Sequence, residues 1–135
     1  MAQAETTREP ESRPLSPHLS VYKPMLTTAM SMAHRVSGVA LYIGAALFAL
    51  YFLSLALGSG VFSVSSWIAS GFVGRVIVVG FVWALYHHLL GGVRHALWDR
   101  GLFMDPVGRE RLALGTLVGG VVLTAATFIV SALAG

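Results

Sequence analysis

Cysteine is absent from this chain. Neither a disulfide framework nor a thiolate-held metal or iron–sulfur cluster can be built from it, and any redox centre it serves must use histidine. Charge is also scarce: 11% of the 135 residues are Asp, Glu, Lys or Arg, against 56% hydrophobic, and the mean hydropathy is +0.74. Soluble domains carry about a quarter charged residues, so the composition excludes an ordinary soluble enzyme and implies a membrane protein. Acidic groups are the scarcer sign, six against nine basic ones, for a net charge of +3. Nucleic acid is not the expected partner, because the basic residues stand at the ends of apolar runs and not in a patch interleaved with aromatics. Residues 1–11 lack the apolar core of a signal peptide.

What is present divides the chain into two parts. Residues 1–24 are expected to form an extended cytoplasmic segment: Pro14, Pro17 and Pro24 interrupt any continuous helix and favour a strip lying on a partner or on the membrane face. Residues 25–135 are expected to form an all-α domain of three transmembrane helices, at about 27–57, 68–98 and 110–134, the first capped by Thr27 or Thr28. The uncharged run from Val36 to Leu57 is long enough to cross a bilayer, and Gly58-Ser59-Gly60 ends it. The charge-free connection that follows, with Ser63, Ser65, Ser66 and Trp67, suits a short interfacial helix.

Orientation follows from the cations. Arg8, Arg13, Lys23 and Arg35 flank the start of the first span, Arg94, Arg100, Arg109 and Arg111 flank the turn between the second and third, and no Lys or Arg follows. The positive-inside rule places the N-terminus and that turn in the cytoplasm. Arg75, at the outer start of the second span, is expected to snorkel to the headgroups, and Trp98 to anchor the inner interface. Gly115 and Gly119 form a small-xxx-small pair on the third span, open to a partner helix or to this chain's own packing.

Tyr86 to Asp99 holds three of the five histidines, and an ionisable side chain inside a span points to function. His88 lies eleven positions before Asp99, about 16 Å from the cytoplasmic end at 1.5 Å per residue. His88, Gly92 and His95 share one face at i, i+4 and i+7. Gly91 and Gly92 take away bulk one turn below His88, as a flat macrocycle would require. A heme on His88 would direct its propionates toward Arg35, Arg94 and His95. His87 points about 100° away and reads as a structural residue, with the role of ligand as its alternative. On the first span, Ser31 and Arg35 at i, i+4 would suit a quinone carbonyl, with the guanidinium meeting developing negative charge; Arg35 as a mere interfacial anchor fits the spacing equally well.

Arg13-Pro14-Leu15-Ser16-Pro17-His18-Leu19, Ser31-Met32-Ala33-His34-Arg35-Val36-Ser37-Gly38 and His88 through Asp99 together resemble the cytochrome b subunit of succinate dehydrogenase, respiratory complex II. The likeness covers nearly the whole chain. It implies half of a heme-containing helix bundle, completed by a second small anchor subunit that supplies the other axial histidine to heme b, and attached to iron–sulfur and flavoprotein subunits. His88 matches the axial ligand, Ser31 and Arg35 the ubiquinone-site serine and arginine, and His34, Arg35 and His95 positions near the propionates. With no flavin fingerprint and no cluster ligands, the chain is not expected to oxidise succinate alone. The little sequence ahead of the first motif favours a bacterial inner membrane over the mitochondrial one. The contrasting function is a purely structural anchor without a cofactor of its own.

Overall fold

The computed structural model describes residues 23–135; residues 1–22, for which an extended cytoplasmic segment is expected, lie outside them. The described residues form four helices and no strand: α1 (Leu26–Ala56), α2 (Ser59–Ser70), α3 (Phe72–Asp99) and α4 (Pro106–Ala134). Helices α1, α3 and α4 are each long and apolar enough to cross a membrane.

Local chemistry sets the breaks. α1 starts one residue ahead of the expected threonines: Met25, in extended conformation, is the N-cap, and no side chain caps the helix. Gly58 at φ 108° ends α1 and launches α2, a backbone conformation glycine adopts without steric penalty. Gly71 is extended, which delays α3 to Phe72, four residues after the expected start, and sets α2 off as a separate helix. The Arg75 Nε donates to the Ser70 carbonyl at 2.8 Å, where a cation meets the negative end of the α2 dipole.

Beyond α3, Gly101 at φ 74° carries a Schellman closure: its N–H bonds Trp98 O at 2.8 Å, and the Leu102 N–H bonds Leu97 O at 3.0 Å. Asp105 then caps α4, its carboxylate accepting from Gly108 N at 2.8 Å, with Pro106 next in the first turn. Asp105→Ala should lower stability by about 1 kcal/mol; thermal unfolding in detergent, compared with Asp105→Asn, reads it out.

The helices pack through small residues. Gly44 accommodates Phe81, Gly38 faces the His88 ring, Gly91 faces His34, Gly119 meets Leu90 and Gly120 lies against the His87 backbone. These pairs run in opposite senses along successive helices, so α3 lies antiparallel to both α1 and α4. Among the described residues the buried hydrophobics are only Ala84 and Ala113, while Leu, Val, Ile and Phe side chains line the exterior. That inversion suits a lipid solvent, in which close backbone approach and interhelical hydrogen bonds hold helices together. Two such bonds are Tyr86 Oη with Thr127 Oγ1 at 2.9 Å and Ser54 Oγ with Ser65 Oγ at 2.7 Å. Gly119 therefore packs this chain's own helices, whereas Gly115 has no atom near its missing Cβ.

Candidate functional site

The α1–α3 crossing joins His34 and His88 face to face. Their rings stack at 4.0 Å between centroids, 6° from parallel. Each also bonds the other's backbone: His88 Nδ1 lies 3.0 Å from the His34 carbonyl oxygen, and His34 Nε2 lies 3.2 Å from the His88 carbonyl oxygen. A carbonyl oxygen only accepts, so both ring nitrogens must carry hydrogen. When uncharged, the two imidazoles are thereby held in opposite tautomers. His34 spends its Nε2–H on the clamp and keeps a lone pair at Nδ1. His88 spends its Nδ1–H and keeps a lone pair at Nε2, the nitrogen at the far end of the ring.

Ser37, a residue the sequence reading passed over, completes the clamp. It is buried, its Oγ donates to the His34 carbonyl at 2.8 Å, and the same oxygen lies 3.2 Å from His88 Nδ1. Its sequence signal is a hydroxyl three positions after His34 inside an apolar run. Gly38, next in the chain, brings α1 close to the His88 ring: a Cβ there would stand 3.0 Å from Cε1.

The two adjacent glycines of α3 prove unlike. At Gly91 a Cβ would overlap the Cδ2 edge of the His34 ring, so its missing side chain makes room for a histidine of α1 and not for a macrocycle. Gly92 has no atom of the described residues within 4 Å of that position, and its side of α3 is open among them.

His87 and Arg94 face the other way. His87 is 0% exposed, stacked on Trp83 at 5.0 Å, and Gly120 of α4 packs on its backbone. Arg94 is 2% exposed with its guanidinium 5.2 Å from the Trp98 ring, a cation–π arrangement. Among the described residues, the side chains of His87 and Arg94 have no hydrogen-bond partner, and the enclosed Trp98 indole nitrogen has none either. Arg94, expected near the propionates of a heme on His88, lies instead on the His87 side of α3. The cause is the rotational setting of α3, since Arg94 follows His87 by seven residues, two near-complete turns.

Of the remaining expected site residues, His95 joins the cluster edge-on to His34, with centroids 5.2 Å apart, and also contacts Trp98. Ser31 is half-buried and Arg35 exposed. Arg35 stands at the head of an open, apolar trench of about 390 Å³ lined by Val36, Val39, Ala40 and Ile43. The structure thus gathers His34, Ser37, His88 and His95 at one crossing, with Ser31 and Arg35 on the adjoining turns of α1. No group of three His, Asp or Glu side chains among the described residues is arranged to hold a metal ion; the crossing offers single donors.

Comparison with known proteins assigns the chain to a family. Residues 9–128 match the family model described as succinate dehydrogenase/fumarate reductase transmembrane subunit. The chain is 34% identical over 119 residues to the succinate dehydrogenase cytochrome b556 subunit of Paracoccus denitrificans, covering 88% of this chain and 92% of that one. It is 34% identical over 90 residues to the protein of that name from Rickettsia bellii, covering 67% and 70%. It is 40% identical over 94 residues to the mitochondrial cytochrome b560 subunit of Mus musculus, covering 67% of this chain and 54% of that one. With three membrane-crossing helices and a family match over nearly its whole length, the chain belongs to the succinate dehydrogenase/fumarate reductase transmembrane subunits.

Proposed function

We propose that the chain is the heme b anchor subunit of a succinate:ubiquinone oxidoreductase, with His88 as one axial ligand of the heme iron. The observation that carries this reading is the His34–His88 clamp, because it leaves His88 with an Nε2 lone pair and holds its other nitrogen on a carbonyl. Histidines bound to metals are typically oriented in this way. The donor set fits a heme: a porphyrin brings four ligands of its own, so one imidazole from this chain suffices, and Gly38 and Gly92 keep bulk away from the His88 ring and the α3 surface beyond it. Bound there, heme supplies a one-electron carrier.

The partner residues are assigned from the same geometry. His34, with its Nε2–H engaged, orients His88 and forms the floor of the cytoplasmic edge. His95 and Arg35 make no side-chain hydrogen bond to another described residue, and we assign them to the propionates. The second axial ligand comes from another small anchor subunit. His87 is enclosed between α3 and α4, and His34 is committed to the clamp, so neither opposes His88. Iron–sulfur and flavoprotein subunits complete the assembly on the cytoplasmic side of a bacterial inner membrane, where the N-terminus lies.

Ser31 and Arg35 hold the head of ubiquinone, the hydroxyl orienting one carbonyl and the guanidinium stabilising the negative charge that grows on its oxygen during reduction. Arg35→Ala should therefore cost at least about tenfold in kcat/KM toward a quinone, the scale of one charge-assisted hydrogen bond. Succinate oxidation coupled to a soluble dye should stay unchanged. Equal activity toward both acceptors in the variant would remove Arg35 from the quinone site and leave it an interfacial anchor.

A further inference from the structure

Two groups meet at His88 Nδ1, and one of them has no role in the function proposed above. The His34 carbonyl oxygen, 3.0 Å away, accepts the Nδ1–H bond. Within α1 it also serves as the ordinary i→i+4 backbone acceptor. Ser37 places a further donor on that oxygen, at 2.8 Å, shorter than the histidine bond. The Ser37 oxygen stands 3.2 Å from Nδ1. Ser37 is buried at 3% exposure, inside a helix whose other buried side chains number one more serine. A helical serine can turn its hydroxyl onto a backbone carbonyl anywhere. Here the carbonyl it has chosen is the one that holds His88.

A carbonyl oxygen has two lone pairs to share. The stronger its bond from Nδ1–H, the more anionic the imidazole becomes and the more basic the lone pair at Nε2. Each additional donor on the carbonyl weakens that pull. We infer that Ser37 is a positioning residue for His88, its hydroxyl drawing on the His34 carbonyl so that the imidazole stays neutral in character and the heme potential stays high. The inference rests on His88 being the axial ligand.

The Ser37 oxygen is also a second, longer acceptor of Nδ1–H at 3.2 Å, against its 2.8 Å donation to the carbonyl; the shorter bond dominates and sets the sign of the effect on potential. A more basic ligand favours the ferric state, which carries the greater positive charge, and so lowers the midpoint potential. Removing the Ser37 hydroxyl frees the carbonyl to bind Nδ1–H more tightly, and the potential should fall. Threonine keeps the hydroxyl and can also turn it onto the i−3 or i−4 carbonyl of a helix, so it should hold the potential near the wild-type value.

The test is a spectroelectrochemical titration of the b-type signal in the intact, purified complex, comparing wild type, Ser37→Ala and Ser37→Thr, with the low-spin electron paramagnetic resonance spectrum of each. The expected result is a lowered midpoint and altered g-values in Ser37→Ala, both restored in Ser37→Thr, at unchanged heme content. An unchanged or raised midpoint in Ser37→Ala overturns the inference, as does an equal shift in both variants, which would mark a packing effect. Should Ser37→Ala fail to assemble, Ser37→Cys supplies the comparison: its weaker S–H donor should lower the midpoint too, and a midpoint equal to wild type overturns the inference. The supporting assignment fails separately. If His88→Ala retains the wild-type b-type signal, His88 is not the ligand, whatever the Ser37 variants do.

Discussion

Replacing His88 by alanine in the assembled complex is expected to abolish the b-type difference between reduced and oxidised spectra, while His87→Ala leaves that difference in place. The contrast between neighbours comes from direction. His88 looks toward α1 with Nδ1 tied to the His34 carbonyl and Nε2 unengaged. His87 is 0% exposed beneath Trp83 and α4, where no second subunit can bring a heme to it without parting the helices. His87→Ala should instead read out as stability: the loss of a packed ring from the interior costs about 2–4 kcal/mol on the scale of large-to-small core substitutions. It should lower the thermal midpoint of the complex with the spectrum preserved. A spectrum lost in His87→Ala and kept in His88→Ala would exchange the two roles.

Gly91→Ala is expected to be the single-methyl change most damaging to the His34–His88 clamp. The added carbon would overlap the Cδ2 edge of the His34 ring. That ring cannot step aside cheaply, because its Nε2–H is on the His88 carbonyl and its face is stacked on the His88 ring. Overpacking of this kind costs about 1–3 kcal/mol, and here displacement of His34 also breaks a reciprocal pair of hydrogen bonds. Both a lower unfolding temperature and a reduced heme-to-protein ratio after purification should follow. Gly92→Ala is the matched control. No described residue lies near its Cβ position, and alanine in a helix gains about 1 kcal/mol over glycine, so its stability should be equal or slightly higher. Heme loss in Gly92→Ala with the protein intact would place the macrocycle against that glycine. Equal behaviour of the two variants would mean that His34 is not pinned as the distances imply.

Those two glycines show what could be read without coordinates. Gly91 and Gly92 are adjacent and chemically identical, and a missing side chain near a heme-ligand candidate suggests room for the heme. The structure separates them because one faces α1 and the other faces away from every described helix. Arg94 teaches the same lesson from the other side. As a cation in the last turns of a span it reads as an interfacial group, yet it is enclosed against Trp98, on the face that carries His87. A residue's depth in the membrane follows from counting along the helix, but its azimuth relative to neighbouring helices does not.

The amino-acid sequence by itself determined that this is a membrane protein of three spans, which of its histidines lie deep, and that no cysteine chemistry is available. Each of these is a local property, set by runs of apolar residues and by composition. The family motifs added the assignment of His88, Ser31 and Arg35 to roles. Only the tertiary structure decided that His34 and His88 hold each other in opposite tautomers, that Ser37 shares their carbonyl, and that His87 and Arg94 belong to the interior. The physical reason is that a tautomer is chosen by the atom opposite the nitrogen, and that atom sits on a different helix, 54 residues away in the chain, brought there by glycines whose only function is to let two backbones approach.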